Sequence, residues 1–204
     1  NVGILSGPSF ARDLILRKNM SVSLATSNIS FGDKLSACLN SSFFHTEHTS
    51  DLIGVQGSGI MKNIAAILSG MLSASNFSKS DLLTLIDLTK DEILQITKVI
   101  YEQRKIKINS SVLVKTLSSP SCDGDLRLSC LEDHSRNRTF GLNWAVVNNA
   151  NVLSEKIGTI EGYHSVIALS NRIKSADVGP VLKSVYDILF NDVRLEDTEI
   201  IKNL

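Results

Sequence analysis

Residues 51–72 read DLIGVQGSGIMKNIAAILSGML, a nearly unbroken apolar stretch that opens on an acidic residue. Asp51 is a residue type that caps the first turn of a helix. The apolar positions after it fall on all sides of a helical wheel, which predicts a helix buried in a core. Three glycines in its first half, Gly54, Gly57 and Gly59, each weaken a helix by about 1 kcal/mol relative to alanine, so we expect a ligand or another backbone to approach closely there.

Lys62 is the only charged residue within 52–72. A lysine among apolar residues must pair with an acid, extend its ammonium group to water, or lose its charge. The last case would make it a general acid or base near neutral pH. From the residues alone, a lysine that simply reaches water stays an alternative.

The stretch after residue 73 also has helical periodicity, broken by a Ser-, Asp- and Cys-rich part at 109–134 that predicts a short helix and a loop. Ser78 and Asp81 have the spacing of a capping box, and Thr89 with Glu92 indicates a restart of the same helix. Helices are predicted at 79–105, 140–148, 162–174, 181–190 and 195–202.

Residues 1–48 are richer in strand patterns than the rest. A short apolar run at 2–5 predicts a buried strand, the alternation at 21–26 predicts a half-buried one, and 43–46 predicts a third. Short helices are expected at 10–17 and 34–39. Because so few strands cannot form a stable sheet alone, we expect them to be the end of a longer Rossmann-like sheet. The chain starts with Asn1 and runs directly into an apolar segment, so we expect it to be part of a longer protein.

The predicted fold class is therefore mainly α. An all-helical domain at 49–204 follows the last strands of a Rossmann-like α/β domain at 1–48.

Composition disfavours several classes of protein. The 204 residues include 21 basic and 21 acidic side chains, so a general nucleic-acid partner is not expected. Three cysteines without a CxxC pair argue against a disulfide framework and against zinc, and we expect no metal and a cytoplasmic location. No apolar run approaches the roughly 20 residues of a membrane span.

Two short segments have the chemistry of anion binding. Ser135-Arg136-Asn137-Arg138 combines guanidinium donors with neutral ones, and Gly7-Pro8-Ser9 after a strand can aim backbone amides at an anion. Each alone is also typical of an ordinary polar turn. The glycines of 54–59 do not have the GxGxxG order, so these residues contain no dinucleotide fingerprint.

Taken in order, several segments resemble the bacterial NAD(P)-dependent glycerol-3-phosphate dehydrogenases. The resemblance covers nearly the whole chain and is weakest over 73–120. The matching segments are 5–11 (LSGPSFA), 53–55 (IGV), 61–63 (MKN), 124–126 (GDL), 135–141 (SRNRTFG), 160–162 (IEG) and 185–190 (VYDILF).

This resemblance implies an enzyme that interconverts sn-glycerol 3-phosphate and dihydroxyacetone phosphate with NAD or NADP, for glycerophospholipid synthesis. Lys62 matches the catalytic lysine, which donates or accepts the proton of the C2 oxygen. Substrate-binding positions of the family are matched by Gly7, Ser9, Lys62, Asp125, Ser135, Arg136 and Asn137. Positions near the dinucleotide are matched by Ala11, Arg136, Thr159 and Glu161.

The family's GxGxxG half and a second lysine of its site are absent from these residues, so the chain alone is not expected to catalyse the reaction. The expected partners are a small phosphorylated substrate and a second copy in a homodimer. Two alternatives stay open: a related two-domain dehydrogenase of another hydroxy acid or phosphate, and an inactive helical interaction domain.

Overall fold

The structure is a computed structural model, and it describes residues 2–173 and 179–204. Within these residues a small sheet precedes an array of helices, which confirms the mainly α fold class. The strands are β1 (Gly3–Ser6), β2 (Met20–Thr26) and β3 (Phe44–Thr49). The helices are α1 (Ala11–Ile15), α2 (Ile29–Leu39), α3 (Leu52–Ala74), α4 (Lys79–Gln103), α5 (Ser110–Leu117), α6 (Asp125–Leu131), α7 (Arg136–Val147), α8 (Ala150–Ile157), α9 (Glu161–Ser170) and α10 (Pro180–Phe190). A π-helical turn spans Pro120–Gly124, and two 3-10 turns span Leu195–Asp197 and Glu199–Lys202.

The sheet has the order β1-β2-β3, with β2 antiparallel to β1 and parallel to β3. The predicted burial of the first two strands is wrong. Strand β1 is an edge strand whose Leu5 is 47% exposed, because only β2 pairs with it. Strand β2 is buried along nearly all its length, because α2, α3 and the π-helical turn also pack against it.

Helix α3 forms the centre of the molecule, and every residue from 64 to 72 is buried. It packs against α4, α6, α7 and α9. Its 23 residues, with a mean hydropathy of 1.2 over the most apolar window, have the length and composition of a membrane span, which corrects the expectation that no run is long enough. Because 56% of that window is buried inside the protein, as in a core helix, this is weak evidence for a span.

Helices α3 and α7 cross closely at two glycines. A methyl group on Gly141 would overlap the carbonyl oxygen of Ile67, and one on Gly70 would overlap the carbonyl oxygen of Arg138. The glycines expected to permit a close approach of a ligand or another backbone are those nearer the start of α3, and none of them has another backbone among its nearest contacts. The approach of a ligand there stays a prediction. Gly54 faces only the carboxylate that caps its own helix, and a methyl group on Gly57 would meet one atom at 3.5 Å.

Two predicted helix starts are confirmed by their hydrogen bonds. Asp51 Oδ1 accepts from the amide of Gly54 at 2.8 Å, and Ser78 and Asp81 form a reciprocal capping box. The predicted restart at Thr89 is wrong, because α4 runs through it without a break and its side chain is buried.

The other errors lie toward the end of the chain. Helix α7 begins at Arg136, before the predicted start at residue 140. Helix α8 was not predicted, because eight residues are too few for a clear period. The predicted helix at 195–202 is two 3-10 turns, since Thr198 between them has an extended backbone. The predicted end of α9 at residue 174 lies outside the described residues.

Glu92 is a buried acid of α4 that caps another helix. Its carboxylate accepts hydrogen bonds from the amides of Val181, at 2.9 Å, and Leu182, at 3.2 Å, in the first turn of α10. Burial raises the pKa of Glu92 to about 7, while these amides favour the charged form and oppose the shift. The folded chain therefore binds this proton more tightly than the unfolded chain does.

Glu92→Gln should flatten the pH dependence of stability. The contribution of Glu92 to the free energy of unfolding is fully present below about pH 4.5, the usual pKa of this group, and is lost as the pH rises to about 7. The loss should be roughly 2–4 kcal/mol. Urea unfolding across this range measures it, with the exposed Glu155→Gln as the matched control. Parallel profiles for the wild type and Glu92→Gln would contradict this account.

Gly141→Ala should destabilise the chain by about 3 kcal/mol or more, because the added methyl group forces α3 and α7 apart. Gly57→Ala makes the same chemical change in α3 where only one ordinary contact is met, and it should stabilise by about 0.5–1 kcal/mol. Urea unfolding of both variants tests the pair. Equal effects of the two substitutions would show that the glycine crossing is not a tight contact.

Candidate functional site

A cavity of about 260 Å³ opens between the turn after β1, the first half of α3, helix α6 and the start of α7. All seven positions that the sequence matched to substrate binding lie on its wall. The lining residues are Gly7, Ser9, Phe10, Lys62, Asn63, Asp125, Leu128, Ser129, His134, Ser135, Arg136 and Asn137.

Lys62 and Asp125 form an ion pair at the floor of this cavity. The Nζ atom of Lys62 donates to Oδ2 of Asp125 at 2.8 Å. The lysine side chain is 25% exposed and the carboxylate is 4% exposed, so the ammonium group can still be reached from the cavity. Of the three possibilities for a lysine in this helix, the structure has the first, a pair with an acid.

Asp125 has a pKa raised by its burial, while the ammonium group of Lys62 acts in the opposite direction. Burial dominates because Asp125 opens α6 beneath the cavity and only 3% of the residue is exposed. A buried charge of this kind is stable only with a close partner. Lys62 and Asp125 therefore depend on each other for their place in the site.

The turn after β1 needs its glycine. Gly7 has a φ of 153°, and a methyl group there would lie 2.9 Å from the Cα atom of Val22 in the next strand. The turn packs on the helical part, where a methyl group on Gly124 would lie 3.2 Å from the ring of Pro8. The sheet and α6 are thus held against each other, and the turn forms one wall of the cavity.

Ser135 caps α7, because its Oγ atom accepts from the amide of Arg138 at 3.3 Å. The first turn of a helix carries unpaired amides and a partial positive charge, which suits an anion. Arg136 adds a guanidinium group at the rim of the cavity, where its side chain is 54% exposed. Arg138 is buried and lies outside the cavity wall, so only one of the two arginines in the run lines it.

A chain of amides joins α7, α3 and α9. Asn137 donates to Oδ1 of Asn63 at 2.9 Å and accepts from the amide of Gly162 at 2.9 Å. Asn63 in turn donates to Oε2 of Glu161 at 3.3 Å. The side chain of Asn137 is therefore largely taken up in joining three helices at the cavity.

The four positions matched to dinucleotide binding are not all together. Arg136 lines the cavity, and its Nη2 lies 3.6 Å from Oε1 of Glu161, which is outside the cavity wall; both side chains are more than half exposed. Ala11 at the start of α1 and Thr159 before α9 are exposed and do not line the cavity.

The sequence analysis missed five lining residues, of which three carried a usable signal. Asn63 follows Lys62 directly, His134 precedes Ser135, and Ser129 lies one turn after Asp125 on the same face of α6. The other two, Phe10 and Leu128, are apolar and give no chemical signal.

Among the described residues, no group of three or more acidic, histidine or cysteine side chains is placed to hold a metal ion. Burial raises the pKa of Cys122 to about 11 and that of Cys130 to about 12, so neither thiol readily forms the thiolate that metals bind. Two histidines, His45 and His48, lie three residues apart in β3, but His48 hydrogen-bonds Thr26 through Nε2 at 2.8 Å.

Comparison with known proteins identifies relatives along the whole chain. The glycerol-3-phosphate dehydrogenase [NAD(P)+] of Ehrlichia chaffeensis is 32% identical over 197 residues, covering 96% of this chain and 58% of the relative. The enzyme of the same name from Wolbachia of Drosophila simulans is 33% identical over 204 residues and is covered to 60%. The chain therefore spans less than two thirds of the length of these curated relatives.

Solved structures show the same fold. The crystal structure of the Coxiella burnetii glycerol-3-phosphate dehydrogenase matches 98% of this chain with a TM-score of 0.82 at 26% identity, over 58% of its own length. The Plasmodium falciparum enzyme matches 99% with a TM-score of 0.83, over 56% of its own length, and at 16% identity it supports the fold alone.

The sequence model of one protein family, the NAD-dependent glycerol-3-phosphate dehydrogenase C-terminus, matches residues 51–199. This range begins at the cap of α3 and includes Lys62, Asp125 and the start of α7. The resemblance inferred from the sequence is confirmed, and the chain belongs to the family of NAD-dependent glycerol-3-phosphate dehydrogenase C-terminal domains.

Proposed function

We propose that this chain is the substrate-binding part of an NAD(P)-dependent glycerol-3-phosphate dehydrogenase, which interconverts sn-glycerol 3-phosphate and dihydroxyacetone phosphate and supplies glycerophospholipid synthesis. One observation carries the proposal. Seven positions spread from Gly7 to Asn137 converge on a single cavity with a cationic rim and a lysine at its floor. A volume of about 260 Å³ suits a small molecule and is below the usual range for drug-sized ligands.

The phosphate group would bind at the start of α7. Arg136 presents a planar fork of donors that matches phosphate oxygens, and the unpaired amides of the first turn add further donors. Bonds of this charge-assisted kind contribute roughly 1.5–3 kcal/mol each. The phosphate would thereby fix one end of the three-carbon substrate.

The C2 oxygen would then lie near Lys62. In the direction of reduction the ammonium group donates a proton to this oxygen as the carbonyl becomes an alcohol, and in the reverse direction the amine accepts it. Asp125 holds the ammonium group through its 2.8 Å hydrogen bond, which fixes the direction of the proton donor.

A nicotinamide cofactor, when bound, supplies or takes up the hydride at C2. Among the described residues, only a few on one side of the cavity are placed to contact such a cofactor. The side chains of Arg136 and Glu161 are more than half exposed beside the cavity, and Gly158 with a φ of 94° bends the chain next to Arg136. Residues 1–48 would be the end of the dinucleotide-binding domain and 49–204 the substrate domain, with Ala11 and Thr159 facing the cofactor from outside the cavity. NAD and NADP stay equal candidates.

The full-length protein would act in the cytoplasm as a homodimer. The main rival is a two-domain dehydrogenase of the same architecture with another hydroxy acid or phosphate as substrate. An inactive helical module is the second rival, and it gives Lys62 no role beyond stability.

Lys62→Ala in the full-length protein should lower kcat for dihydroxyacetone phosphate by about a hundredfold or more, because the proton donor is lost. NADH and NADPH oxidation measure the rate, and circular dichroism checks the fold. Lys183→Ala, at an exposed lysine of α10 that pairs with Glu199, is the control and should leave kcat unchanged. A wild type that is inactive with both cofactors, or a Lys62→Ala variant with full activity, would refute the proposal.

The phosphate group should decide substrate binding. Calorimetry of the full-length protein should show glycerol 3-phosphate binding at least about a hundredfold more tightly than glycerol, since two charge-assisted bonds are lost without the phosphate. Similar affinities for the two compounds would favour the rival dehydrogenase with an unphosphorylated substrate.

A further inference from the structure

Arg138 is a buried cation that donates to three groups outside the cavity wall. Its Nε donates to the carbonyl oxygen of Cys130 at 3.0 Å, and its Nη1 donates to Oδ1 of Asp133 at 2.5 Å. Its Nη2 donates to Oγ of Ser73 at 3.2 Å. The arginine residue is only 8% exposed, so these contacts replace the water that the guanidinium group loses.

These three partners belong to three different parts of the chain. Cys130 lies in the last turn of α6, Asp133 lies in the loop between α6 and α7, and Ser73 lies in the last turn of α3. The carbonyl of Cys130 also accepts a short hydrogen bond from Ser69 of α3. Arg138 thus joins the loop to both helices that carry the reacting pair.

The loop at 132–135 is a mostly exposed part of the site, in which the ring of His134 packs edge-on against Phe10. His134 and Ser135 line the cavity, yet Glu132, Asp133 and His134 are all exposed. The position of this loop sets where Ser135 starts α7, and hence where Arg136 and the first amides stand relative to Lys62. Hydrogen bonds that hold the loop in place therefore fix the distance between the start of α7 and Lys62.

We propose that Arg138 is a positioning residue, which clasps the loop at 132–135 against α6 and α3 and so holds the anion-binding start of α7 at a fixed distance from the Lys62–Asp125 pair. This inference rests on the proposed function and extends it to a residue that does not touch the substrate. Arginine is required because three acceptors lie in three directions, and the single nitrogen of lysine cannot reach all of them.

The test is a set of steady-state measurements on the full-length protein with Arg138→Lys and Arg138→Met. Both variants should raise KM for dihydroxyacetone phosphate, and the inhibition constant of inorganic phosphate, by about tenfold or more. A merely structural role would lower the folded fraction and the apparent kcat, but would leave KM and the inhibition constant unchanged.

Asp133→Asn keeps the result decisive if the arginine variants fold poorly. The side chain of Asp133 is 86% exposed, so its substitution leaves the core intact, and it should raise the same two constants by a smaller factor. Arg127→Met is the matched control, because Arg127 of α6 forms an Arg–Asp pair with Asp123 of the π-helical turn, outside the loop. It should leave both constants at the wild-type values.

The proposal is overturned if Arg138→Lys behaves as the wild type, if all variants change only kcat, or if Arg127→Met has the same effect as Arg138→Met. A wild type without activity would instead count against the proposed function. In that case calorimetry compares the affinity for inorganic phosphate of the wild type and the Arg138 variants. An equal affinity in all of them would overturn the inference about Arg138.

Discussion

The close crossing of α3 and α7 at Gly70 and Gly141 is the constraint on which the site depends. Side chains at either position would overlap backbone atoms of the other helix, so only two glycines allow this separation. Lys62 and Ser135 both lie before the crossing on their helices, on the cavity side, where Asn63 and Asn137 bond each other at 2.9 Å. A wider separation of α3 and α7 would move the cationic start of α7 away from Lys62. One small substrate could then no longer contact both.

Buried charges hold the parts that this crossing brings together. Lys62 with Asp125 joins α3 to α6, and Glu92 caps α10 from α4. Buried charges are costly without partners, so removing one member is more damaging than the strength of the pair suggests. The Lys62–Asp125 pair therefore both joins two helices and defines the chemistry of the cavity, whereas Glu92 acts outside the cavity wall.

The sequence predicts secondary structure better than it predicts which elements pack together. The apolar stretch after Asp51, with its cap, is enough to identify the central helix, and the Lys62 and Ser135 segments are enough to propose the chemistry. The partners of Lys62 could not be found in this way, because Asp125 is 63 residues away and their meeting depends on tertiary packing. Gly70 and Gly141 gave no signal either, since a glycine inside a helix does not show what crosses it. The resemblance to a family, and not residue spacing, pointed to Thr159 and Glu161.

The most direct measurement is a crystal structure of the full-length protein with glycerol 3-phosphate and the oxidised cofactor. The account predicts that the phosphate binds at Ser135 and Arg136, and that the C2 hydroxyl lies within hydrogen-bond distance of Lys62 Nζ, with Asp125 still bonded to the lysine. A phosphate bound elsewhere, or a C2 oxygen out of reach of Lys62, would contradict it.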